Sequence, residues 1–164
     1  MTRAILLAGL ILLLPINAIA ADERSGVYPI LQVGVKAAYP QMASFPISIL
    51  FDGLWKSDTD MIPSKGHSGL LLQLEPGISA QKLNIGRGFL WSPKEDCGWS
   101  YRLSFLQTTS EAHSINPGQT YVGAEVAGHA FLIGGSIGIY AHTAGSQSDA
   151  PNMLLSIGFG VGFP

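Results

Sequence analysis

The chain has 164 residues, of which only 12% are charged, with a net charge of -2, twenty glycines and a single cysteine. That charge content is about half the usual share for a water-soluble globular domain, and no basic cluster is present, so a nucleic-acid partner is excluded. One cysteine, Cys97, excludes an intrachain disulfide.

The N-terminus reads as a secretory signal peptide over residues 1–20. Arg3 supplies the positive charge, Ala4 to Leu14 an apolar run, Pro15 its end, and Ala18-Ile19-Ala20 a small-x-small cleavage site, so the mature chain is expected to begin at Ala21. Residues 21–164 then form one domain. After Pro15 no apolar run reaches the roughly 18 residues of a membrane helix.

The mature chain alternates apolar and polar residues repeatedly, which is the period of a β-strand. The first strand sets Leu31, Val33, Val35 and Ala37 against Gln32, Gly34 and Lys36. Pro40 and Pro46 bracket a short connection. The second sets Ile47, Ile49, Phe51, Gly53 and Trp55 against Ser48, Leu50, Asp52, Leu54 and Lys56, followed by a polar loop to His67. The third sets Leu70, Leu72 and Leu74 against Leu71, Gln73 and Glu75, and Pro76-Gly77 reads as a turn. The fourth sets Leu83, Ile85, Arg87, Phe89 and Trp91 against Lys82, Asn84, Gly86 and Gly88. The fifth sets Trp99, Tyr101, Leu103 and Phe105 against Ser100, Arg102, Ser104 and Leu106. Beyond a loop with Asn116-Pro117-Gly118, the sixth sets Val122, Ala124 and Val126 against Tyr121, Gly123 and Glu125. Gly128-His129 reads as a tight turn into a seventh strand, Phe131 to Tyr140. The eighth sets Ile157, Phe159, Val161 and Phe163 against Ser156, Gly158, Gly160 and Gly162.

Eight segments near the roughly 9–11 residues of a tilted transmembrane strand predict an all-β, antiparallel, up-and-down barrel. Parity does not say which face points outward, but composition does. The polar face carries few charges and much Gly and Ser, which suits a narrow interior, while the apolar face carries Trp55, Trp91, Trp99, Tyr101, Phe51 and Phe89, several near strand ends as in interfacial aromatic belts. The interior then collects a charge network of Lys36, Asp52, Glu75, Lys82, Arg102 and Glu125, with Gln32, Gln73 and Asn84. Glu75 and Lys82 flank one hairpin, and Arg102 and Glu125 sit on neighbouring strands. Paired, they would make a filled interior rather than a channel. Arg87 alone falls on the lipid register, which predicts either an interfacial position or a bulge at Gly86-Gly88 that turns it inward.

With its signal peptide, alternating segments and aromatic final strand, the chain resembles small bacterial outer-membrane barrels of the OmpA/OmpX type over residues 28–163. The resemblance implies residence in the outer membrane, outer-membrane lipid as surroundings, and insertion by the barrel-assembly machinery, which reads the last strand. Phe163 fits the aromatic terminus of that family, with Pro164 as a departure. Tyr140-Ala141-His142-Thr143-Ala144-Gly145-Ser146 is similar to the catalytic region of outer-membrane lipid A deacylases, which implies an alternative esterase reading with His142 and Ser146. Ala144 stands where that family has its serine, so His142 is read as an ordinary strand-end residue. A further alternative is a soluble periplasmic β-barrel binding protein.

No other constellation carries chemistry. His67, His113, His129 and His142 lack metal-ligand spacing, no phosphate loop or nucleophile elbow is present, and Glu95 and Asp96 beside Cys97 disfavour a reactive thiolate. No cofactor is expected. The function predicted is a non-enzymatic outer-membrane barrel with a structural or interaction role through its loops.

Overall fold

The computed structural model describes residues 27–54, 66–91, 97–111, 115–146 and 150–162. The signal peptide, Trp55, Lys56, Glu95, Asp96, His113, Phe163 and Pro164 lie outside the described residues. The described residues are all-β, as their alternation predicts. They form one curled antiparallel sheet of ten strands: β1 (Tyr28–Val33), β2 (Val35–Ala38), β3 (Met42–Ser44), β4 (Ile47–Asp52), β5 (His67–Pro76), β6 (Ala80–Trp91), β7 (Cys97–Thr108), β8 (Thr120–Ala130), β9 (Ile133–Ala144) and β10 (Met153–Val161). The order across the sheet is β1-β4-β5-β6-β7-β8-β9-β10-β2-β3.

Ten strands replace the eight expected because the first expected strand is interrupted and a short extra strand precedes the second. Only Gly34 separates β1 from β2, and only Phe45-Pro46 separates β3 from β4. Pro46 has no N–H to give to a ladder; its carbonyl instead accepts from Gly34 N–H at 3.0 Å. The connection expected between Pro40 and Pro46 therefore contains a short strand, β3, in which Lys36, Ala37 and Ala38 face Ser44, Ala43 and Met42. On its other edge β2 pairs with β10, from Val35↔Val161 to Ala38↔Gly158. Gly34 sits where this second pairing begins, and a Cβ there would lie 2.6 Å from the Gly162 carbonyl oxygen. No side chain fits that approach.

Three other expectations are corrected. The turn between β8 and β9 is at Phe131-Leu132, with Phe131 at φ 57, not at Gly128-His129. The observed register sets Gly138 opposite Glu125, and the bare Gly138 leaves room for the Tyr140 ring, whose Cε2 a Cβ at Gly138 would approach to 2.8 Å. Around Arg87 there is no bulge: the ladder runs unbroken through Gly86, Arg87 and Gly88 on both sides. Arg87 stays on the apolar face with its guanidinium 5.2 Å from the Phe89 ring. His67 opens β5 rather than ending the loop before it, and His129 lies one residue from the end of β8 rather than in a turn.

Burial separates the two faces. The inner face buries Lys36, Glu75, Lys82, Arg102 and Glu125 together with Ser48, Ser68, Gln73, Asn84, Ser100, Ser104 and Ser156. The outer face exposes Leu31, Leu74, Leu83, Leu103, Phe105, Ile137, Ile139, Leu155 and Phe159, the last at 67%. Phe89, Trp99 and Tyr101 cluster on this face near the β6–β7 hairpin, with Phe89 and Trp99 stacked at 4.4 Å. A small apolar group closes one end of the interior: Ala80, Leu106, Ile115, Tyr121, Tyr140 and Leu154, with Tyr39 packed against it.

Candidate functional site: an ionised cluster inside the sheet

Alternation places every second side chain of β2, β5, β6, β7, β8 and β9 on the inner face, and the curl brings those side chains together. Glu75 and Lys82 are register partners across the β5–β6 hairpin, and Arg102 and Glu125 across β7 and β8. Glu125 is the hub. It accepts from Arg102 Nη2 at 2.5 Å, from Lys82 Nζ at 2.6 Å and from the Tyr140 hydroxyl at 2.6 Å. Lys36 reaches it from β2 at 3.6 Å. Glu75 accepts from Ser44 Oγ at 2.7 Å and from Lys36 Nζ at 3.3 Å, and Lys82 lies 3.4 Å from it. All five charged side chains have no solvent exposure. Charges held this far from water are stable only when each is paired and hydrogen-bonded.

Two glycines make the space. A Cβ at Gly158 would stand 2.1 Å from Lys36 Cε, so the lysine stem lies across a bare stretch of β10. Gly138 does the same for Tyr140. Beside the cluster runs a neutral relay in which Asn84 Nδ2 donates to Gln73 Oε1 at 2.6 Å and Gln73 Nε2 donates to Ser48 Oγ at 2.8 Å.

Asp52, grouped with the network from sequence, is elsewhere. Its carboxylate accepts from Ser68 N–H at 2.8 Å and meets His67 Nδ1 at 2.8 Å near the start of β5. Strand parity set it on the correct face but not at the correct depth. Two contributors were missed by the sequence reading, Ser44 and Tyr140. Tyr140 carried a usable signal: it shares the inner register with Glu125 one strand away. Ser44 did not, because it sits in the segment taken for a connection.

The alternative esterase pair, His142 and Ser146, lies in and just beyond β9. His142 lies within β9 with Nε2 2.9 Å from Gln119 Oε1 and its ring edge-on to Tyr121 at 5.3 Å. Ser146 lies two residues past the end of β9. Cys97 opens β7 as a free, half-buried thiol. Among the described residues no group of His, Cys, Asp and Glu could hold a metal ion. Neither a protein-family model, a curated protein nor a solved structure matches this chain.

Proposed function

We propose that this protein is a non-enzymatic outer-membrane β-barrel, closed by eight spans and plugged by its ionised cluster, with a structural or interaction role exercised through its loops. The observation that carries the reading is the inversion of polarity. Five ionised side chains are buried, while Leu103 is 60% exposed and Phe159 67%. In water such an outer face would be an aggregation liability; in lipid it is the stable arrangement, with polar groups enclosed and apolar ones solvated by acyl chains.

Closure is supported by the register. Successive partners run Tyr28, Asp52, Gly69, Gly88, Ser100, Ala127, Ser136, Gly158 and then Ala38. The path leaves the first span at residue 28 and rejoins it at residue 38, ten residues further along. A constant stagger of this kind is what a closed, tilted barrel needs. On this reading β1 with β2 forms one span and β3 with β4 another, and no hydrogen-bonding edge is left to lipid. Export follows from the signal peptide with cleavage near Ala20, and insertion by the barrel-assembly machinery follows from the last strand. The packed ionic interior argues for a plugged barrel rather than a pore, and the engagement of His142 by Gln119 argues against the deacylase reading.

The test is fractionation of an exporting host with gel mobility before and after heating. The mature protein should sediment with the outer membrane, resist urea extraction and migrate faster unheated than heated. Recovery in the soluble periplasmic fraction overturns the reading.

A further inference from the structure

Two-residue hairpin turns hold one or both central residues at positive φ, and glycine or asparagine usually takes that place. Between β8 and β9 the place belongs to Phe131, at φ 57. A bulky side chain there is a steric outlier. Packing within the chain does not compensate for it, because Phe131 is 74% exposed, the most exposed large apolar side chain among the described residues. Leu132 and Ile133 follow it at 67% each. Three consecutive bulky apolar residues thus stand bare at a hairpin tip where the backbone favours glycine.

The tip is also held in place. Ala130 and Ile133 pair across it, Ile133 pairs with Val161 on β10, and Gly162 N–H donates to the Leu132 carbonyl at 2.9 Å. A fixed backbone therefore presents these side chains.

Their height follows from the register. Gly128, three residues before Phe131, is the partner of Trp99, which Phe89 faces from β6. Around the closed sheet the rungs climb ten residues over eight spans, from Tyr28 to Ala38, so each span stands about one residue higher than the last. Phe131 then lies about two residues beyond Trp99 along the barrel axis, roughly 5 Å for a tilted strand. The interfacial layer on each side of a bilayer core is about 5–8 Å thick. The tip falls within the layer that the Phe89–Trp99 stack marks. In water three bare apolar side chains are a liability; at the boundary of headgroups and acyl chains they are stabilised.

We propose that Phe131 and Leu132 form an interfacial anchor. The β8–β9 tip inserts into the headgroup–acyl boundary of the leaflet at the end of the sheet that carries the β6–β7 hairpin, and it fixes the depth of the barrel there. The inference rests on the membrane-barrel reading.

The experiment uses tryptophan quenching in phosphatidylcholine vesicles. Trp55, Trp91 and Trp99 are replaced by Phe, and a single probe is introduced as F131W or, for reference, L103W. F131W should be quenched most by lipids brominated close to the headgroup, less by lipids brominated near the chain end, and weakly by aqueous iodide. L103W should be quenched most by the deep bromines. If L103W behaves so but iodide reaches F131W and bromine does not, the anchor alone is overturned and the tip faces water, as a surface for another protein would. If no bromine quenches L103W, the barrel reading fails and the anchor with it. Quenching of F131W chiefly by the deep bromines also overturns the anchor. A second measurement asks what Phe131 does. Asparagine tolerates positive φ, so a tip with no lipid contact gains stability from Phe131→Asn. An anchored tip should instead lose about tenfold in the folded-to-unfolded ratio in vesicles, or ~1.4 kcal/mol. Stability equal to or above that of the natural chain overturns the proposal.

Discussion

On β7, Trp99, Tyr101, Leu103 and Phe105 stand outside the sheet, while Ser100, Arg102, Ser104 and Leu106 stand inside it. The two faces come from one strand and one alternation, yet they ask for opposite solvents. The outer face holds no charge along this strand. The inner face holds a guanidinium that a water-soluble sandwich would have left outside. The difference teaches that alternation fixes which residues travel together, and that composition and the quality of the pairing say which set is enclosed. The inner set is enclosed because each carboxylate finds several donors there. The interior is itself divided: the ionised middle gives way to an apolar cap, and Tyr140 belongs to both, with its ring among Leu106 and Tyr121 and its hydroxyl on Glu125.

The strongest way to break this comparison is to remove the hub. Glu125→Ala leaves Arg102 and Lys82 without their shortest partner and puts three cations against one carboxylate. Breaking a buried ion pair by deleting one member costs about 3–5 kcal/mol, and this variant should lie at or above that range in urea unfolding from lipid vesicles. Removing Arg102 and Glu125 together should cost less than the two single losses combined. Additivity within about 0.5 kcal/mol would mean the two side chains do not act as a pair.

The parts of this arrangement that are local in sequence were legible in it. Period-two alternation assigns Lys36, Glu75, Lys82, Arg102 and Glu125 to one face, and antiparallel neighbours in chain order bring Glu75 to Lys82 and Arg102 to Glu125. What depends on the curl was not. Lys36 meets Glu125 only because β2 comes round to pair with β10. The interruption at Gly34 was hidden because the alternation continues through it, and β3 was hidden because Pro40 and Pro46 read as the ends of a connection. The β8–β9 turn was misplaced because Gly128-His129 looks like better turn chemistry than Phe131-Leu132, and the longer ladder that sets Gly138 under Tyr140 overrides that local preference. Asp52 was misgrouped because parity carries no information on depth.

A charge placed on the other face sharpens the comparison from outside. Leu103 lies midway along β7 and is 60% exposed. Arg at the midplane of a lipid-facing strand costs about 2–4 kcal/mol, whereas a substitution on a water-facing surface stays within about 0.5 kcal/mol. Leu103→Arg should therefore destabilise the protein in vesicles by the larger amount. A change inside the smaller range would identify the outer face as hydrated.

Arg87 offers the smallest and most discriminating effect, because nature has already placed a cation on the outer face. It stands opposite Tyr101 with its guanidinium over Phe89, beside the Phe89–Trp99 stack. Aromatic side chains gather at the headgroup level of a bilayer, and an arginine there can send its charge to water along an apolar stem. Near the interface the cost of Arg falls to about 0–1 kcal/mol, so Arg87→Leu should change stability by no more than about that in a bilayer of ordinary thickness. The cost should grow as the bilayer thickens, since mismatch draws the headgroups away from a fixed residue. Vesicles of short and long acyl chains therefore give two readings of one substitution: near-neutral in the thin bilayer, stabilising in the thick one. The same value in both would mean that Arg87 is not held near a lipid headgroup, and that the aromatic cluster beside it does not mark the edge of a membrane.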